Sequence, residues 1–61
     1  MKPLSKRELQ VAAFLKEGTP DANIAILLGI SVDGVKYHVK NILKKTESQN
    51  RTQAAIKLER Q

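Results

Sequence analysis

Chemistry in this chain has to be built from amines, hydroxyls, six carboxylates and a single imidazole, His38. A lone imidazole with no cysteine beside it cannot fill the three or four nitrogen and sulfur positions of a zinc site, so neither metal nor other cofactor is expected. Nor does any spacing join His38 to a nucleophile and an orienting acid, so the chain does not read as an enzyme. The carboxylates of Glu8, Glu17, Asp21, Asp33, Glu47 and Glu59 are scattered over helix starts and surfaces and form no acid–base pair. Gly18 and Gly29 belong to no phosphate-cradling loop, because no G-x-x-x-x-G-K-[ST] run is present. What remains is positive charge. Eleven lysines and arginines against six acids give a net +5 and an isoelectric point near 9.9. Such a balance points to a polyanion, nucleic acid first and an anionic membrane second. With one Phe, one Tyr and no Trp there is no aromatic platform for stacking unpaired bases, which favours double-stranded DNA.

Binding a duplex requires those cations to be displayed together, and the helical pattern says where. A helix is expected over Val32–Lys45, capped by Ser31. At about 100° per residue, Val32, Val35, Val39 and Ile42 fall on one side, with Leu43 at its edge. Asp33, Lys36, Tyr37, Lys40 and Lys44 fall on another. One face is core; the other is basic and carries a phenol. Lysines can donate to guanine O6 and N7 or to phosphate, and Tyr37 offers a hydroxyl and an apolar ring. Lys44 and Lys45, near the end of the helix, suit phosphates. His38 lies at the boundary, packing on a neighbouring helix and donating to a phosphate or a carbonyl.

The elements that must hold this helix are also legible. A first helix runs over Lys6–Glu17, opened by a Ser5/Glu8 capping box and stopped by Gly18. Leu9, Val11, Ala12, Ala13, Phe14 and Leu15 make it apolar almost all round, which predicts deep packing. A second, short helix runs from Pro20 or Asp21 to Leu28, with Thr19 as its N-cap and Pro20 in the first turn. Its buried face is Ile24, Ala25, Leu27 and Leu28, and Gly29 ends it. Only Gly29-Ile30-Ser31 separates it from the third helix, the spacing of a helix-turn-helix. Ala25 allows close approach of the two helices, Ile30 plugs the turn and Val35 packs back. Gly34 in the first turn of the third helix costs about 1 kcal/mol against alanine. A fourth helix runs from about Arg51 to Leu58 or beyond, with Asn50 and Gln53 as its capping pair. Ala54 and Leu58 share one face, Ala55 adjoins it and Ile56 points elsewhere.

Sixty-one residues make one domain at most, here residues 1–61. A domain of this size buries only about 60% of its unfolded surface, so a single compact core has to carry it. The longest apolar stretch, Ile24 to Leu28, cannot span a bilayer, and the Met1-Lys2-Pro3 start resembles no secretion signal. A soluble, cytoplasmic protein with no membrane partner is the expectation.

Taken together these residues resemble the LuxR/GerE-type helix-turn-helix. The resemblance covers Leu4 to about Leu58. Leu4-Ser5-x-Arg7-Glu8 looks like the opening L-[ST]-x-R-E of that family. Gly18 followed by Ile24-Ala25-x-x-Leu28-x-Ile30-Ser31 looks like its turn. Val35-Lys36-x-His38-x-x-Asn41-Ile42 looks like V-K-x-H-x-x-N-I, and Arg51 with Ala54 looks like the R-x-x-A of the last helix. The resemblance implies an all-α, four-helix domain, a three-helix core plus a C-terminal dimerisation helix. It implies the DNA-binding output domain of a bacterial transcription regulator, of the quorum-sensing or response-regulator kind, working at the nucleoid. Base contacts are implied for Lys36, Tyr37 and Lys40. Phosphate contacts are implied for Thr19, Asp21, Ser31, Gly34, His38, Lys44 and Lys45. A homodimer on an inverted repeat is implied, through Ala54, Ala55, Ile56 and Leu58.

Three departures from the family pattern stand out. Gly34 occupies a position where threonine is usual. Pro20 and Asn23 replace the usual serine and glutamate. Thr46-Glu47-Ser48 replace a usual Leu-Gly-Val, which predicts a loosened corner before the last helix. An alternative function is a solitary domain that forms a heterodimer with a full-length LuxR-type regulator and inhibits it. Region 4 of sigma factors has a similar Arg-Glu opening and helix-turn-helix, but the Val35-to-Ile42 pattern speaks against it.

Overall fold

Each helix begins and ends where a specific backbone need is met. The computed structural model describes residues 2–60, and these form α1 (Lys6–Glu17), α2 (Asp21–Leu28), α3 (Val32–Lys45) and α4 (Arg51–Glu59). No strand occurs among the described residues. The fold is the expected all-α, four-helix arrangement.

At the start of α1 the Ser5 hydroxyl accepts the Glu8 N–H at 3.2 Å and the Glu8 carboxylate accepts the Ser5 N–H at 2.9 Å, the predicted capping box. Ser31 caps α3 by accepting the Gly34 N–H at 2.9 Å. A Cβ added at Gly34 would meet the Ser31 Oγ at 3.2 Å, so the glycine leaves the capping hydroxyl room. Asn50 caps α4 by accepting the Gln53 N–H at 2.9 Å, but the pair is not reciprocal. The Gln53 amide oxygen takes the Gln49 N–H at 2.8 Å instead.

α2 departs from expectation. Its N-cap is Pro20, with no side chain accepting a hydrogen bond, and Thr19 is not the cap. The Thr19 N–H is drawn backwards to the Phe14 carbonyl at 3.0 Å, closing α1. Two motifs compete for one short linker, and the closure of α1 takes Thr19.

The same closure recurs three times. After α1, α2 and α3 the chain turns through a left-handed residue, Gly18 (φ 75°), Gly29 (φ 68°) and Glu47 (φ 54°). In each case the next N–H reaches back five residues: Thr19 to Phe14, Ile30 to Ala25 and Ser48 to Leu43, at 2.9–3.0 Å. Glycine adopts this conformation without steric cost; a glutamate pays for its Cβ.

The core is one cluster. Val11, Ala12 and Leu15 of α1, Ile24 and Ala25 of α2, Val35, Val39 and Ile42 of α3, and Ala54 of α4 are all buried. Leu4, Phe14, Leu28, Ile30, Leu43 and Leu58 pack around it half-buried. α3 packs against all three other helices, and α1 also packs against α4. Ala25 and Ile30 take the expected places at the turn, and Val35 is fully enclosed. Three apolar expectations fail. Leu9 (58% exposed) and Ala13 face outward, so α1 is not buried all round. Leu27 (63% exposed) is not part of the buried face of α2, and Val32 lies at the rim of α3 rather than in the core. With only four helices there is not enough protein to cover every apolar position.

The corner between α3 and α4 is tied, not loosened. Thr46 is buried; its hydroxyl donates to the Ile42 carbonyl at 2.8 Å and lies 2.7 Å from the Ser48 hydroxyl. Lys57 of α4 donates to the carbonyls of Thr46 at 3.0 Å and Glu47 at 2.6 Å. Polar bonds do the work expected of apolar anchors. Glu47→Gly is therefore expected to raise the unfolding free energy by about 1 kcal/mol, because it relieves the left-handed glutamate and keeps the backbone carbonyl. Lys57→Met is expected to lower it by about 1 kcal/mol, because two carbonyls lose a donor. Urea denaturation of both variants beside the parent protein measures these changes.

Candidate nucleic-acid interface

Burying Val35, Val39 and Ile42 fixes the rotation of α3 about its own axis, and so fixes what its other side presents. Lys36, Tyr37, Lys40 and Lys44 are all exposed, together with Asp33. Lys36 and Lys40 are one turn apart, and Lys44 lies one turn further on, so three ammonium groups follow one another along the rod. Tyr37 is 63% exposed. Its ring meets that of His38 edge-on, with centroids 5.5 Å apart and planes at 69°. That contact limits the freedom of the phenol while most of the side chain stays exposed. His38 is half-buried at the boundary between the two faces.

The residues assigned to phosphate contacts are placed less uniformly. Lys44 is exposed. Lys45 is half-buried, and its ammonium donates to the Glu8 carboxylate at 2.6 Å. This pair ties the start of α1 to the end of α3 and leaves Lys45 with much of its charge already answered. Ser31 is exposed at the N-terminus of α3, where its oxygen accepts the Gly34 N–H; the Gly34 amide is thereby occupied. Thr19 is half-buried beside the start of α2. The Asp21 carboxylate pairs with Arg51 of α4, which neutralises an acid that would otherwise repel a phosphate at the N-terminal end of α2. On α4, Ala54 is completely enclosed by its own chain and Leu58 is half-buried. Ile56 is 47% exposed and Ala55 is half-buried.

Sequence reasoning missed the two ion pairs and the role of Lys57. Glu8 and Lys45 are 37 positions apart, and Asp21 and Arg51 are 30 apart. No periodicity within a helix signals such pairs; the charged residues themselves were the only trace.

The arrangement is a short helix, a three-residue turn and a longer helix with its basic side outward. Residues 2–58 match the model of the family described as bacterial regulatory proteins, luxR family. The chain belongs to the luxR family. It is 43% identical over 51 residues to the regulatory protein SdiA of Escherichia coli, covering 84% of this chain and 21% of that protein. It is 42% identical over 53 residues to the transcriptional regulatory protein LiaR of Bacillus subtilis, covering 87% of this chain and 25% of that protein. The response regulator protein VraR of Staphylococcus aureus gives the same figures, 42% over 53 residues, 87% and 25%. This luxR-family chain thus spans a fifth to a quarter of the length of the curated relatives it matches.

The Glu8–Lys45 pair makes the setting of α3 sensitive to acid. The Glu8 carboxyl is held below its ordinary value of 4.5, chiefly by the Lys45 ammonium and next by the Ser5 N–H, with burial opposing both. A lowered folded-state pKa contributes stability that is fully present above 4.5 and is lost as pH falls through the folded value. Glu8→Gln is expected to be less stable at neutral pH and to show a shallower loss of stability below pH 4.5 than the parent. Urea midpoints recorded from neutral pH downwards test this; identical acid limbs would contradict it.

Proposed function

We propose that this luxR-family domain, residues 1–61, binds duplex DNA sequence-specifically with α3 in the major groove. The observation that carries the reading is the division of α3, which hides Val35, Val39 and Ile42 while presenting Lys36, Tyr37, Lys40 and Lys44 along one exposed side. A major groove admits one helix, and its floor offers acceptors that ammonium groups can reach. Lys36, Tyr37 and Lys40 are the base-reading residues in this account. Lys44 with Ser31, His38 and the Thr19–Asp21 start of α2 meets flanking phosphates. Gly34 serves by allowing close approach, and Lys45 serves in part through its pairing with Glu8. No described helix is long and apolar enough to cross a membrane; the cytoplasm, at the nucleoid, is where a duplex would be met.

The same account has two copies reading an inverted repeat. Its support is the exposed Ile56 beside Ala55 on α4, in a depression lined also by Lys16, Arg51 and Glu59. The apolar surface is small, so association without DNA is weak and the duplex completes the dimer.

Selection from random duplexes should recover a motif with two-fold symmetry. Lys36→Ala and Lys40→Ala are each expected to weaken binding to that motif by about 1–3 kcal/mol, and to relax preference at particular base pairs. Lys44→Ala is expected to weaken all sequences alike and to reduce the salt dependence by about one counterion. A gel-shift titration in which both α3 variants keep full affinity would remove α3 from the groove.

A further inference from the structure

A groove on the domain is lined by neither α2 nor α3. The outward stripe of α1, Leu9, Ala13 and Lys16, follows the spacing of one helical face. It borders a groove of about 530 Å³ closed by Leu58 of α4 and by the segment Lys2 to Leu4. That segment is held in place. The Lys2 N–H donates to the Lys45 carbonyl at 3.4 Å, and Leu4 packs half-buried on the core. The wall of the groove is thus part of the fold.

Two properties of the groove say what it fits. Leu4, Leu9, Ala13 and Leu58 give it an apolar side, and Leu9 stands 58% exposed, uncovered by any described residue. Its only charged lining residues are Lys2 and Lys16, and neither ammonium pairs with a carboxylate among the described residues. A mixed trough with an apolar side and two lysines at its rim is complementary to an amphipathic helix that carries apolar residues on one side and carboxylates beside them. A second copy of this chain is a poor occupant, because a molecule of net charge +5 brings more cations to the rim. We propose that the α1/α4 groove docks a short acidic amphipathic helix of a protein partner, with its apolar stripe along Leu9, Ala13 and Leu58 and its carboxylates on Lys2 and Lys16. None of its lining comes from α3, although Lys2 also borders Lys44 and Lys45, and the inference does not rest on the DNA reading.

The probe is a designed peptide of about four helical turns, with leucines at i, i+4 and i+7 and glutamates flanking them, beside a control in which lysines replace the glutamates. Titration into the isotopically labelled chain should give saturable amide shifts at Leu9, Ala13, Lys16 and Leu58. Leu9→Glu and Lys16→Glu should each weaken the titration roughly tenfold, and the lysine control should not bind. Both substitutions are at exposed positions, so circular dichroism should show an unchanged fold. Shifts confined to Lys36, Lys40 and Lys44 would mean that the peptide merely imitates a polyanion on α3, and would overturn the proposal. So would the absence of saturable shifts, or full affinity in both variants.

Discussion

The basic face of this domain depends on how α3 is seated. Val35, Val39 and Ile42 are the only large apolar side chains of α3 that disappear from solvent, and they do so against all three other helices. Turning the helix by one residue, about 100°, would exchange valines for lysines across the core boundary. Charges buried without partners cost far more than this small core can supply, so one rotational setting survives. The basic face is a consequence of that constraint. The lysines are aligned because the valines and the isoleucine have nowhere else to go.

The polar contacts refine a position that packing has already chosen. Glu8–Lys45 fastens the beginning of α1 to the end of α3, and Asp21–Arg51 fastens the beginning of α2 to the beginning of α4. Lys57 crosses from α4 to the last carbonyls beyond α3. Each tie spans two elements, and together they draw the ends of the helices to one another. Exposed ion pairs contribute little in general, but the Glu8 carboxylate is enclosed and also serves the α1 cap. Losing it would release a helix start and a helix end together. Some charged residues thus hold elements together, while others, on α3 and along the α1/α4 groove, face outward.

The departures from the family pattern find a physical setting here. Where an apolar residue and a glycine would usually turn the chain after α3, Thr46 buries a hydroxyl that satisfies itself on the Ile42 carbonyl, and Glu47 accepts a left-handed backbone. The cost of the glutamate is met locally by Lys57. Gly34 gives Ser31 space to cap the helix that carries the basic face. These are small adjustments within one scaffold; the buried Thr46 hydroxyl is tolerated because the Ile42 carbonyl satisfies it.

Much of this was written in the linear chain. Helix limits follow from Ser5, Gly18, Gly29, Ser31 and Asn50, since caps and left-handed turns are satisfied by residues a few positions apart. The opposed faces of α3 follow from spacing alone, because a helix converts position into direction by a fixed angle. Other features needed the three-dimensional packing. Leu9, Leu27 and Val32 have the composition of core residues, and only the finite supply of covering helices decided that they stay outside. Thr19 matched the pattern of a cap, and the closure of the preceding helix claimed it. The pairing of Glu8 with Lys45, of Asp21 with Arg51 and of Lys57 with two carbonyls joins residues far apart in the chain. Such contacts exist only once the helices have docked, because local periodicity carries no information about which distant charge arrives alongside.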